Sequence, residues 1–164
     1  MDHFLHWLSE TAFSATMRES VWAEPIVETI HVLTLTVFLG FLLLLDLRLL
    51  DLAMRRKRVA AMLEELMPWL LAGFAVMVTT GVLLFCADPV AFYSTTFFKV
   101  KMLMIVLAGL NVLAFNATIG RRITQWDQSA TTPWQVKLSG AVSLVLWLAI
   151  VAAGRGIAYA LPPP

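Results

Sequence analysis

Residues 25–45 read PIVETIHVLTLTVFLGFLLLL, and this stretch decides the fold class. A bilayer core of about 30 Å needs roughly 20 apolar residues in an α-helix. The stretch has that length, with Glu28 and His31 as its only ionisable side chains. Its apolar residues surround the helix instead of forming one stripe, as they would in a soluble bundle. The stretch therefore predicts a membrane-spanning helix.

Three further stretches of the same kind follow, at about 68–86, 97–119 and 136–159. Asp88-Pro89 marks the end of the second stretch, since the residue before a proline avoids the α-helical region. The connections are short, which predicts that consecutive helices are antiparallel neighbours. The sequence thus predicts one all-α domain, a four-helix transmembrane bundle.

The composition of residues 1–164 agrees with that class. The chain is 60% hydrophobic and 14% charged, whereas soluble domains are about 45–50% apolar and 25% charged. So few charges cannot cover a soluble surface, which excludes a cytosolic globular enzyme, a disordered chain and a nucleic-acid binder. The net charge of +1 gives no strong field to steer partners. The single cysteine, Cys86, excludes a disulfide framework and a cysteine-ligated cluster within one chain. The lipid bilayer is the first expected partner.

The basic residues orient the predicted helices. Eight of the twelve Lys and Arg residues lie in or beside loops 46–67 and 120–135, with a compact cluster at 55–58. By the positive-inside rule, both loops face the cytoplasm. The chain is therefore predicted to lie in the bacterial inner membrane with both termini on the periplasmic side.

The amino-terminal segment predicts a further element. Residues 1–24 lack the basic region and uninterrupted apolar core of a signal peptide. Residues of about 2–14 are predicted to form one short amphipathic helix with Phe4, Leu5, Leu8 and Phe13 on one side. Such an interfacial helix would lie flat on the outer surface of the membrane.

Most aromatic residues near the ends of the spans fit an interfacial belt, where amphipathic rings lie among the headgroups. These residues are Trp22, Trp69, Phe92, Tyr93, Trp126, Trp134 and Tyr159. Trp147 lies in the middle of the fourth span instead, and we expect it to pack against a neighbouring helix.

Two long runs carry a family resemblance: RESVWAEPIVETIHVLTLTVFLGFLLLLDLRLL (18–50) and PWLLAGFAVMVTTGVLLFCADPVAFYSTTFFKVKMLMIVLAGLNVLAFN (68–116). Their distinctive pieces are an acidic-x-x-His start of the first helix, DLRLL at 46–50 and FKVK at 98–101. Over nearly its whole length the chain resembles a bacterial family of small four-helix integral membrane proteins, a domain of unknown function. It is more loosely similar to the membrane domain of copper resistance protein D. The resemblance implies the fold and the location and supplies no activity.

Polar side chains inside a membrane are costly, so each is a candidate functional residue. His31 lies about five residues, or roughly 8 Å, below the start of the first helix. Glu28 is one turn above it on the same face. Lys101 and Arg155 are predicted at a similar depth on the third and fourth helices. These four residues are predicted to share one cofactor-binding layer in the outer leaflet.

Two interpretations of this layer stay open. In the first, His31 and Glu28 are a structural pair, and the basic side chains snorkel to the headgroups. In the second, the carboxylate orients the imidazole, as the partners of metal-bound histidines do. Lys101 and Arg155 would then bind the propionates of a b-type haem, with His31 as an axial ligand.

No other histidine lies within a predicted span. The second axial ligand would therefore be His3 or His6 folding back, a methionine, or the His31 of a second copy. Met1-Asp2-His3 carries a separate signal, because a histidine third from a free amine suits Cu(II) or Ni(II). The i, i+3 spacing of His3 and His6 would also let them share a metal ion.

The remaining polar residues of the spans look structural. Asp46, Arg48 and Asp51 lie at the cytoplasmic end of the first helix, where partial pairing offsets their charge. Asn111 and Asn116 on the third helix are expected to make interhelical contacts.

Three functions stay open. The first is a membrane protein that holds a haem or metal ion through His31 and transfers electrons. The second is a structural or accessory subunit, in a homo-oligomer or a larger membrane complex. The third is a copper-handling protein, for which Met77 joins His3 and His6. An enzyme is not expected, because the chain has no phosphate-binding glycine loop, HExxH motif or nucleophile elbow.

Overall fold

The computed structural model describes residues 2–127 and 132–160, and every regular element within them is helical. Four helices are long and apolar enough to cross a membrane. They are α3 (Ala23–Leu49), α4 (Val59–Ala87), α6 (Thr96–Ala117) and α8 (Trp134–Ala160). The 27 residues of α3 or α8 span about 40 Å at 1.5 Å per residue. The predicted all-α, four-helix membrane fold is confirmed, and α4 ends immediately before Asp88.

The long helices pair in a definite order. Helix α3 packs along α4, α6 packs along α8, and α3 also contacts α8. Within the described residues the backbones of α4 and α6 hardly approach each other, although they are consecutive spans. Phe85 and Phe98 connect these two helices, with stacked rings 5.1 Å apart. The expectation that consecutive spans are close neighbours therefore fails at the α4–α6 seam.

One apolar core joins all four long helices. Phe38 of α3 and Trp147 of α8 lie in it, with 4.8 Å between their ring centroids. The expected packing of Trp147 against a neighbouring helix is thereby confirmed.

The amino-terminal segment differs from the single helix predicted over about 2–14. It forms two helices, α1 (Asp2–Ser9) and α2 (Ala12–Glu19). The break occurs because the Thr11 side chain accepts a hydrogen bond from the Ser14 amide and so caps a new helix. Leu5 is buried, whereas Phe4 and Phe13 are exposed, so the four predicted residues do not share one environment.

Helix α5 (Pro89–Ser94) connects α4 to α6 at the end of the bundle where α1 and α2 pack. We call this the α5 end. The opposite end, which carries residues 50–58, 118–127 and 132–133, is called the loop end. A 3-10 turn (Gly120–Arg122) and helix α7 (Ile123–Trp126) lie there.

Most residues of the predicted aromatic belt are exposed, although Trp69 lies ten residues inside α4. They include Trp22, Trp69, Trp134 and Tyr159. Trp126 is a correction, because its ring is buried in a small core at the loop end. Its indole N–H donates to the carbonyl oxygen of Ile119 at 3.0 Å. The folding of α7 against the bundle removes this ring from the interface.

Helices α3 and α8 approach each other closely at Gly140. A Cβ atom there would lie 3.0 Å from Cβ of Leu49 and 3.3 Å from the carbonyl oxygen of Asp46. Glycine therefore permits the close contact. On the other side of α8, Asn111 of α6 donates to the Ser139 carbonyl at 3.0 Å. This is the interhelical contact expected of Asn111.

Candidate functional site

His31 lies on α3, half-buried against α4 near the α5 end. Its Nδ1 lies 2.7 Å from Oγ1 of Thr80, a buried residue of α4. Gly81 is adjacent, and a Cβ there would meet Cε1 of the ring at 3.5 Å. The imidazole therefore packs against the part of α4 that holds Thr80 and Gly81.

The hydroxyl of Thr80 decides which ring nitrogen carries the proton. Its single O–H donates to the carbonyl oxygen of Val76 at 2.8 Å. With its hydrogen directed there, its oxygen accepts from the Nδ1–H of His31, and the tautomer is assigned on that basis. This assignment of the tautomer leaves a lone pair on Nε2, the nitrogen that faces away from the hydrogen bond.

Lys101 extends from α6 toward α8. Its Nζ would lie 3.4 Å from a Cβ at Gly154, so this glycine makes room for the ammonium group. The side chain is partly buried. The structure therefore pairs His31 of α3 with Thr80 of α4 and places Lys101 of α6 beside Gly154 of α8.

The other two residues of the predicted layer lie at the surface. Glu28 is exposed on α3, one turn from His31. Arg155 is exposed on α8, with its guanidinium 5.4 Å from the ring centroid of Tyr159 one turn later. Within residues 2–127 and 132–160, Glu28 forms no ion pair with Lys101 or Arg155. The structure thus brings His31 and Lys101 toward the interior and places Glu28 and Arg155 outside.

Thr80 and Gly81 were not predicted as site residues, although the sequence holds a signal for them. Thr80 lies seven residues before the end of α4, and His31 lies eight residues after the start of α3. At about 1.5 Å per residue, both lie roughly 10–12 Å from the α5 end. Matching depths on antiparallel helices would have placed the hydroxyl beside the imidazole.

The amino-terminal histidines lie away from His31. Both are exposed, and His6 borders a cavity of about 330 Å³ between α1 and α5. Its remaining lining residues are Leu5, Val90, Tyr93, Ser94 and Lys99. Within the part of the chain that the structure describes, no three His, Cys, Asp or Glu side chains are grouped to hold a metal ion. Met1, on which the predicted amino-terminal copper site depends, lies outside the described residues.

A second polar cluster lies at the loop end, where Asp51 connects the end of α3 to the start of α8. Asp51 accepts hydrogen bonds from Thr132 Oγ1 at 2.6 Å and Arg48 Nη1 at 3.1 Å. Lys137 Nζ lies 2.9 Å from its other oxygen. Burial alone would raise the pKa of Asp51, but the bonds from Thr132 and Lys137 outweigh burial and lower the pKa below its ordinary value. The expected pairing of Arg48 with Asp51 is present, and Asp46 takes no part in it.

Asp127 is the second acidic residue that organises this end. Its fully buried carboxylate accepts from the amides of Val59 at 2.7 Å and Ala60 at 3.1 Å. Arg58 lies 3.5 Å away and balances its charge. A side chain from α7's end thus caps the first turn of α4, where backbone N–H groups have no helical partner.

The comparisons with known proteins give a family and no activity. No curated protein and no solved structure matches the chain. The likeness to copper resistance protein D therefore stays a prediction. A family model described as a family of unknown function, DUF6644, matches residues 4–160. Because that match covers nearly the whole chain, the chain belongs to this family of unknown function, DUF6644.

Proposed function

We propose that this chain is an electron-transfer protein of the bacterial inner membrane, which binds haem b near the α5 end with His31 as an axial ligand. The proposal rests above all on the 2.7 Å hydrogen bond between His31 and Thr80. A histidine that ligates a metal commonly donates its other ring N–H to a neighbouring group, which sets the tautomer and the ring plane. The bond to Thr80 has this form and leaves Nε2 available to iron.

Lys101 supports the same proposal. Its ammonium group lies toward the interior near Gly154, at the α5 end where the His31 ring also lies. A cation at this depth would offset the charge of a haem propionate, which is otherwise costly to hold in a membrane. Because Arg155 is exposed beside Tyr159, the propionate role falls to Lys101 alone.

The sixth ligand must come from another group. Met77 lies one turn from Thr80 on α4, and Met104 lies one turn from Lys101 on α6. Both pack against the core that joins the four helices. A methionine with a histidine is a known axial pair for b- and c-type haem iron, and the His31 of a second copy is the alternative.

The test is an absorption spectrum of the full chain, purified from cells supplied with haem, together with metal analysis. We expect a Soret band that is lost in His31→Ala and retained in the control His6→Ala, because only His31 lies in the proposed site. Thr80→Val should weaken haem binding by about 10- to 100-fold, the usual effect of removing the partner of a metal-bound histidine.

Each other result selects a different function. A colourless, metal-free protein would overturn the haem proposal in favour of an accessory subunit of a larger membrane complex. Bound copper without a Soret band would favour the copper-handling function. A Soret band with bis-histidine character, from a haem shared between two chains, would assign the sixth ligand to a second copy and establish a homo-oligomer.

A further inference from the structure

Asp46 is the most deeply buried acidic residue of the spans, and the proposed haem site does not use it. It lies on α3 near the loop end, with only 2% of its surface exposed. Its Oδ2 has no hydrogen-bond partner among the described residues. An ionised carboxylate in such a place would be unusually costly, because its Oδ2 is buried away from water without a partner.

Three cations at this end have other partners, and Arg55, Arg56, Arg121 and Arg122 are exposed. Arg48 directs Nη1 to Asp51 at 3.1 Å and Nε to the carbonyl of Lys57 at 2.7 Å. It is two residues from Asp46 on α3, and positions i and i+2 do not face each other on a helix. Lys137 of α8 pairs with Asp51 at 2.9 Å. Arg58 lies beside Asp127.

The other elements around Asp46 supply only neutral or exposed groups. On α4, Glu64 and Glu65 are exposed, and Glu65 pairs with Lys57 at 3.3 Å. Between Lys101 and the end of α6 there is no charged residue. On α8, the hydroxyl of Ser143 lies beside the carboxyl group of Asp46.

We infer that Asp46 is a proton-binding site, which holds its side chain as a neutral carboxylic acid at neutral pH. The neutral acid carries an O–H donor that a carboxylate lacks, and it removes the charge from the α3–α8 contact. Release breaks the Oδ–H bond, leaves a carboxylate on Asp46 and passes the proton to water at the loop end. The route is short, because α3 ends three residues later, at Leu49.

Infrared spectroscopy of the full chain in lipid nanodiscs tests this assignment. At pH about 7, roughly three units above the ordinary pKa of an aspartate, we expect the C=O stretching band of a protonated carboxylic acid. The band should shift when H₂O is replaced by D₂O, since the proton exchanges. It should vanish in Asp46→Asn and persist in the matched control Asp51→Asn, because Asp51 is ion-paired.

A second variant keeps the test decisive if Asp46→Asn fails to fold. Ser143→Ala retains Asp46 and removes the neighbouring hydroxyl, so the band should remain and change its frequency. A wild-type protein without the band at pH about 7 would overturn the inference. A band that is unchanged in Asp46→Asn, or in Ser143→Ala, would overturn it as well.

Discussion

Thr79 and Thr80 are consecutive on α4 and differ in their burial and in their hydrogen bonds. Thr79 is exposed, and its hydroxyl donates to the Ala75 carbonyl at 2.9 Å. Thr80 is 6% exposed, and its hydroxyl donates in the same way to Val76 while accepting from His31. Only Thr80 therefore links two helices through its side chain, which makes the two residues a natural pair for comparison.

Thr80→Val should destabilise the protein by about 1–2 kcal/mol, because the half-buried Nδ1–H of His31 loses its acceptor. Thr79→Val should change stability by no more than about 0.5 kcal/mol, as is usual for exposed positions. Unfolding of both variants in detergent micelles, followed by circular dichroism, measures the difference. Equal effects of the two substitutions would show that the bond to His31 contributes nothing.

Asp51 predicts a pH dependence. Since its folded pKa is lowered, the stability it contributes is present above its unfolded pKa of about 3.9 and is lost as the pH falls through the folded value. Asp51→Asn should therefore flatten the acid limb of a stability–pH curve, and Thr132→Val should flatten it in part. Identical acid limbs in wild type and Asp51→Asn would contradict this account.

Helices α3 and α8 depend on the absence of a side chain where they meet. A Cβ at Gly140 would come within 3.3 Å of the Asp46 carbonyl oxygen, which belongs to a backbone that cannot rotate away. At Gly109 on α6, by contrast, an added Cβ would have no atom of a neighbouring side chain or helix within 4 Å. The two glycines thus differ in packing, although both lie inside long apolar helices.

Gly140→Ala should lower the free energy of unfolding by about 1–3 kcal/mol, the usual cost of overpacking. Gly109→Ala should leave it unchanged or raise it by roughly 0.5–1 kcal/mol, because alanine is the better helix former. Titration with a denaturing detergent compares the two. The close contact between α3 and α8 would be wrong if Gly140→Ala were as stable as Gly109→Ala.

The cap that Asp127 forms on α4 has a measurable role. Asp127→Ala leaves the buried amide of Val59 without an acceptor and should cost about 1–3 kcal/mol. Amide hydrogen exchange should accelerate at Val59 and Ala60 and remain slow in the middle of α4. Glu65→Ala, which removes an exposed pair with Lys57, is the control and should cost no more than about 0.5 kcal/mol. Unchanged exchange at Val59 in Asp127→Ala would refute the cap.

The four spans could be predicted from the sequence because crossing a bilayer requires about 20 apolar residues and little else. Matching depths could place Thr80 level with His31 but could not show that the two side chains face each other, because a helix that is apolar all round carries no stripe to show which face meets a neighbour. The i, i+3 spacing on α3 therefore predicted Glu28 as the partner of His31. The observed partner, Thr80, lies 49 positions away on α4. The break between α1 and α2 could have been predicted, since Thr11 is a good capping residue.

The orientation of the whole molecule is a prediction that labelling can check. In a Cys86→Ser background, Glu10→Cys at the α5 end should react with a membrane-impermeant maleimide on intact spheroplasts. Arg56→Cys at the loop end should react only after permeabilisation, because the basic loops are predicted to face the cytoplasm. Both parent residues are exposed, so access is comparable. The reverse pattern would invert the proposed topology.

The two partners of the cap on α4 are also synthesised at different times. Val59 and Asp127 are 68 positions apart, so a ribosome adding about 5–20 residues per second needs roughly 3–14 seconds to supply the carboxylate after the amide. During that interval α3 and α4 can enter the bilayer as a hairpin, while the first turn of α4 has only water for its N–H groups. The cap can form only after residue 127 has been made, so a later part of the chain completes the first turn of a helix that began 68 residues earlier.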